Sequence, residues 1–237
     1  LATKLISGDL NIFKHNNMEQ LENLLKQSDH KRKIIAVEGI YSMSGDIAPF
    51  AVFNLAIKYN ALLIVDEAHS SGVIGEHLGG IFDYYKINNQ PNFIKMGTLG
   101  KAYGSYGAYI CASSHIISFL ENKAKALIYT TAPSLFDIAL GYESLLYIEQ
   151  NTKSIYTKIK EKQAIVKSLF NKDIKGLIVP ILIKDNQKAL DIQKRLYNKK
   201  IDIGAIRQPT VKEAIIRLIA RINVDTYFFK EVAKEIK

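Results

Sequence analysis

The chain is poor in the residues that build cross-links and metal centres. Of its 237 residues one is cysteine, Cys111, and none is tryptophan. A single cysteine closes no internal disulfide and builds no cysteine-rich metal site by itself, so a reducing cytoplasm is the simplest compartment. The histidines His15, His30, His69, His77 and His115 show no HExxH or similar spacing, and no metal site is expected. No apolar run reaches the roughly 18 residues of a membrane span. Leu1–Asn16 carries charges throughout, unlike a secretory signal. GxSxG is missing, and with it the usual serine-nucleophile elbow. GxxxxGK[ST] is missing, and with it the Walker A loop. No arginine-rich tract with interleaved aromatics marks a nucleic-acid surface, and no internal repeat or low-complexity segment is present.

What is present is the composition of a folded domain. Hydrophobic residues make up 48% and charged residues 23%, which excludes the disordered and fibrous classes. The length suits one large core, or a main domain with a smaller one. The net charge of +9 has two readings. It is a lysine-rich bias spread over helix faces, or it attracts an anionic substrate such as a coenzyme A ester.

Apolar periodicity predicts a helix over Asn16–Gln27, a strand at Ile34–Val37, a helix over Phe50–Tyr59 and a strand at Leu62–Val65 ending at Asp66. A glycine-rich loop is expected over Gly72–Gly80, strands at Phe93–Met96 and Gly107–Cys111, and a helix over Ser113–Ala126. Strands alternating with helices predict an α/β layered domain with a largely parallel sheet, its short unbroken apolar strands covered on both faces. Leu135–Phe170 reads as one long helical stretch linking two domains. Beyond it come a strand at Gly176–Ile183, a helix over Asn186–Lys199, strands at Ile201–Ile206 and Ala214–Ile222, and a helix over Asp225–Ile236. This predicts a small α+β unit over 151–237, behind a major domain over 1–150.

Four segments pair a strand end with polar residues, which is where open α/β sheets bind ligands. VDEAH, Val65–His69, sets Asp66 directly after a strand and His69 three residues on; the plainer alternative is a helix cap by Asp66 and a surface histidine. GTLGKAYGSYG, Gly97–Gly107, places Lys101 among four glycines, which let the backbone approach a ligand. Thr98 and nearby N–H groups there suit a phosphate. A lysine in such a setting is a nucleophile if its pKa falls; otherwise it is an exposed residue on a turn. EGIYSMSGDIAP, Glu38–Pro49, offers Glu38, Ser42 and Asp46, or a plain turn. AIRQPTVKEAIIRL, Ala205–Leu218, offers Arg207 and Arg217, either as carboxylate forks or as solvated charges.

Taken in order, EGIYSMSGDIAP, VDEAHSSGVIGEHLGG, GTLGKAYGSYGAY and IYTTAP resemble the α-oxoamine synthases, a branch of the fold-type-I pyridoxal-phosphate (PLP) enzymes. The resemblance covers nearly the whole chain. AIRQPTV is similar to the AIRPPTV of the family's biotin-pathway branch, although Gln208 and Lys212 stand where that pattern has prolines. GTLGKA is shared across the family and does not choose among its branches. The resemblance implies PLP as cofactor, with Lys101 as the Schiff-base lysine, Asp66 at the pyridine nitrogen and His69 near the phenolic oxygen. Ser42 would lie beside the cofactor, and Thr98 would hold its phosphate. Thr130 would reach that phosphate across a homodimer interface, with Thr131 as its rival. Thr210 would touch substrate, and Arg217 would take the substrate carboxylate.

The implied substrates are small molecules, L-alanine and a pimeloyl thioester, with no nucleic acid and no membrane as partner. The implied reaction is their decarboxylative condensation by an acyltransferase. A sister activity, such as glycine with acetyl-CoA, and a non-catalytic paralogue remain alternatives. The family also has an N-terminal region with a glycine turn and a ring-stacking histidine. Counted back from HNN, His15–Asn17, these fall before Leu1, so an N-terminally truncated chain is expected.

Overall fold

Short apolar runs set the first sheet. A computed structural model describes residues 8–236. In it β1 (Ile34–Glu38), β2 (Leu62–Asp66) and β3 (Phe93–Thr98) run parallel, and β4 (Ala108–Cys111) pairs antiparallel with β3, giving the order β1-β2-β3-β4. Alternate residues point inward, as strand geometry requires: Ile35, Val37, Leu63 and Val65 are buried. Against them pack α1 (Met18–Gln27), through Leu21 and Leu25, and α2 (Ala51–Lys58), through Val52, Phe53 and Ala56. Asn17 caps α1 by accepting the Gln20 N–H at 2.8 Å, which fixes its start two residues inside the expected boundary. β1 departs from expectation. Its apolar run suggests cover on both faces, yet Ile34 and Ala36 are exposed, because β1 is an edge strand with only one face packed.

The helices that follow are more broken than periodicity implies. The glycine-rich loop ends in a short helix, α3 (Ile81–Tyr84), absent from the sequence reading. The expected helix over Ser113–Ala126 is two pieces, α4 (Ser114–Lys123) and α5 (Lys125–Ile128), parted by an extended Ala124. The long stretch is α6 (Leu135–Gln150) and α7 (Thr152–Phe170), parted at Asn151. Asn151 Nδ2 donates to the Tyr147 carbonyl at 2.8 Å, a side-chain bond that competes with the helical ladder.

The second sheet is antiparallel, β5 (Ile178–Lys184), β7 (Ala214–Ile219) and β6 (Gly204–Ile206) in the order β5-β7-β6. β6 and β7 are shorter than their apolar runs. Val179, Ile192, Leu196, Ile216 and Phe229 form its core with α7, α8 (Asn186–Asn198) and α9 (Thr226–Ile236). The two sheets meet at the Glu38–Pro49 loop. Gly45, at φ +71°, lies so close to the second sheet that a Cβ there would stand 2.7 Å from the Ile178 carbonyl, so only glycine fits. Among the described residues, no helix is long and apolar enough to cross a membrane, and no cluster of ligand side chains could hold a metal ion.

Candidate active site

Parallel strands deliver their carboxyl ends to one edge of the sheet, and the register aligns Glu38 with Asp66 and Asp66 with Met96. The three loops that leave this edge carry most of the candidate residues. Asp66 Oδ1 accepts the Ala68 N–H at 2.8 Å. This bond reaches two residues forward, a local turn rather than a helix cap, and it swings His69 toward the next loop. There His69 Nε2 lies 3.0 Å from Lys101 Nζ.

The electrostatics of this pair are consistent with its geometry. Burial, helped by the positive charges of Lys101 and Arg217 and opposed by Asp66, pushes the His69 pKa down to about 4. The imidazole is therefore neutral at neutral pH, and an ammonium at Lys101 donates to its free nitrogen lone pair. The Lys101 pKa is also lowered. Burial of its amine end is the largest cause, although the residue as a whole is exposed; Arg217 acts in the same direction, while Asp66 and Glu38 oppose it. Such lowering enlarges the fraction of free, nucleophilic amine.

Arg217 arrives from the second sheet. Its Nε donates to the Ser42 carbonyl at 2.6 Å, and burial lowers its pKa. The Ser42 N–H donates to Glu38 Oε2 at 2.9 Å, so the Ser42 backbone is held from both sides. The Thr98 hydroxyl donates to the Gly107 carbonyl at 3.1 Å and accepts the Gly100 N–H at 3.2 Å, closing the glycine loop around Lys101.

Two further residues named from the sequence are exposed and bond within their own segments. Thr130 is exposed beyond α5, and its hydroxyl donates to the Ala126 carbonyl. Thr210 is exposed in the turn between β6 and β7, its N–H bonded to the Arg207 carbonyl at 3.0 Å. A cleft of about 410 Å³ between Val73–Lys86 and α7 contains none of the candidate residues.

Glu67, the third residue of VDEAH, carries no motif role that the sequence announces. It is fully buried and accepts the Ile81 N–H at 2.9 Å, the Phe82 N–H at 3.4 Å and the Ser70 hydroxyl, with Lys95 Nζ 3.9 Å away. Burial raises its pKa against those stabilising contacts. The available signal was period two: Leu63, Val65 and Glu67 share one side of the chain, so a carboxylate continues the core-facing row.

Residues 3–234 match the family described as Aminotransferase class I and II. An 8-amino-7-oxononanoate synthase of Helicobacter pylori is 35% identical over 237 residues, covering 99% of this chain and 64% of that protein. The chain thus spans less than two thirds of the length of that relative. A crystal structure of 8-amino-7-oxononanoate synthase from Francisella tularensis superposes with a TM-score of 0.81 at 28% identity, over 94% of this chain and 66% of that one. A high-resolution structure of SPT with PLP as internal aldimine gives a TM-score of 0.83 at 20% identity, over 94% and 59%; this likeness concerns the fold.

Proposed function

The chain belongs to the aminotransferase class I and II family, and from that premise we propose that it carries the reactive lysine of a PLP-dependent 8-amino-7-oxononanoate synthase. The reaction is the decarboxylative condensation of L-alanine with a pimeloyl thioester. The observation that carries this reading is the Lys101–His69 pair at 3.0 Å on the sheet edge that also bears Asp66. The donor set fits PLP: an amine of lowered pKa, a carboxylate at a strand end, a neutral imidazole and an arginine. When bound, PLP supplies a carbonyl carbon for the amine and a ring that takes up an electron pair.

Each residue then has a task. Lys101 Nζ would hold the cofactor through its carbonyl carbon, and the same amine would take and return a proton at the substrate α-carbon. The Asp66 carboxylate would keep a proton on the cofactor's ring nitrogen. His69, a neutral imidazole, would face the cofactor's phenolic oxygen. Arg217 takes the substrate carboxylate, giving up its bond to the Ser42 carbonyl or sharing it, and fixes which bond at the α-carbon is broken. Ser42 would lie beside the cofactor, Thr98 and the loop N–H groups would hold its phosphate, and Thr210 would touch substrate.

We assign 1–150 to the cofactor-binding domain and 151–237 to a small C-terminal domain. A homodimer is part of the reading. Its support is the exposed apolar row on α6, with Leu135 88% and Phe136 76% exposed, near which Thr130 would face a partner's phosphate. The setting is cytoplasmic, with small molecules rather than nucleic acid or membrane as partners.

The test compares L-alanine with glycine, and pimeloyl with acetyl thioesters, on the full-length protein loaded with PLP. Turnover is expected with L-alanine and pimeloyl thioester. Turnover confined to glycine and acetyl-CoA would replace this reading with a sister activity, and no turnover with any pair would remove the assignment.

A further inference from the structure

Three hydroxyls tie the loop of Lys101 to the loop of His69. Ser71 Oγ lies 2.6 Å from Tyr103 OH, and Tyr109 OH donates to Ser71 Oγ at 2.9 Å. Ser71 follows His69 by two residues, Tyr103 follows Lys101 by two, and Tyr109 sits on β4, which closes the glycine loop. Ser71 and Tyr103 are buried. A buried hydroxyl without a partner is costly, so the three fix one another's arrangement. Burial also raises the Tyr109 pKa, which keeps its phenol a donor.

Packing reinforces the same junction. Gly72, at φ +78°, leaves so little room that a Cβ there would stand 2.6 Å from Ala102 Cβ. The residue after Ser71 therefore rests on the residue after Lys101. The Tyr103 and Tyr109 rings meet edge to face at 6.4 Å, and the Tyr109 ring fills the space that a side chain at Gly97 would need. None of the three hydroxyls is bonded to Lys101 or His69 themselves.

We propose that Ser71, Tyr103 and Tyr109 form a hydroxyl clamp that sets the position of Lys101 relative to His69, acting as positioning residues for the lysine chemistry. The glycine loop gives Lys101 freedom to approach a ligand; the clamp takes that freedom away at one point on each side. The inference rests on the PLP reading above and adds to it the device that registers the amine.

Tyr103→Phe and Tyr109→Phe keep the rings and remove only the hydroxyls, and Ser71→Ala removes the shared atom. The control is Tyr85→Phe, which deletes a hydroxyl bonded to the Ala48 carbonyl at 2.9 Å in the first core. In the full-length PLP-loaded protein, Tyr103→Phe is expected to lower kcat about tenfold, as small misplacements of a reacting group do. KM for the amino acid should stay within about twofold. The pH midpoint of the cofactor's visible band should move by roughly half a unit, the scale of one lost hydrogen bond. Ser71→Ala should match or exceed this, and Tyr109→Phe should shift both readouts the same way. Variants that lose thermal stability like Tyr85→Phe but keep wild-type kcat and midpoint would overturn the clamp alone. A wild-type protein with no PLP band would overturn the PLP reading, and the clamp with it.

Discussion

The loops after β2 and β3 satisfy their own side chains, whereas helices α4 to α6 leave theirs open. In the loops, Glu67 is fully buried and finds donors in Ser70, Ile81 and Phe82, and Ser71, Tyr103 and Tyr109 bond one another. On α6 only Gly141 is buried, and on α4 nothing is. Leu135, Phe136, Tyr142 and Leu145 all face outward, as does Phe119 on α4. The buried polar side chains of the first region find their partners inside the fold. The second presents an apolar surface of the kind that marks an interface. The two are also in contact: the Ser105 hydroxyl, in the Lys101 loop, donates to the Asp137 carbonyl of α6 at 2.6 Å, and a Cβ at Gly141 would stand 3.1 Å from Leu99 Cδ1. A partner seated on α6 would therefore press on the loop that carries Lys101.

Breaking the self-satisfied region should cost the most. Glu67→Ala leaves two backbone N–H groups and a hydroxyl without their acceptor in a buried place, and is expected to destabilise by about 3 kcal/mol or more. Urea unfolding measures it. A value near zero would mean that the Glu67 contacts are not formed. On the open side, Phe136→Asp should leave the unfolding free energy of the monomer within about 0.5 kcal/mol. It should weaken self-association by about 2 kcal/mol, the scale of an interface anchor. Sedimentation of the full-length variant against wild type reads this, and equal association would remove α6 from the interface.

Two pH effects sharpen the contrast further. The Glu67 pKa is raised in the folded state, so the folded protein binds the proton more tightly than the unfolded chain does. That contribution is complete below the ordinary carboxylate pKa of 4.5 and is lost as pH rises through the raised value. Glu67→Gln should therefore lose less stability than wild type between pH 4.5 and 7, as read from the difference of the two urea midpoints. His69 runs the other way. Its pKa falls from 6.5 to about 4, so its contribution is complete above pH 6.5 and is lost as pH falls toward 4. His69→Gln should flatten that decline. The effect should be the smallest here, because the group is only half-buried and water screens it.

Much of the first sheet was legible, because unbroken apolar runs bounded by polar residues mark parallel strands. Ile34–Glu38, Leu62–Asp66 and Phe93–Thr98 fall within two residues of expectation. The breaks at Ala124 and Asn151 were not, since apolar periodicity runs through both and only a local backbone choice ends the helix. Asp66, His69 and Lys101 were legible as types in motifs, and the fold brings His69 to Lys101. The Ser71–Tyr103–Tyr109 clamp was not legible: its members stand up to 38 residues apart, and nothing in a serine or tyrosine alone tells which hydroxyl it will meet. Thr130 and Thr210 bond to backbone within their own segments, and the roles expected of them, toward a partner and a substrate, are not ones that local packing reveals.

The central claim is that Lys101 is the cofactor lysine. Incubating the full-length protein with PLP, reducing it with borohydride and mapping the peptides by mass tests this directly. The account predicts that the added mass falls on Lys101 and disappears in Lys101→Ala. Modification at another lysine, or a label that survives Lys101→Ala unchanged, would contradict it.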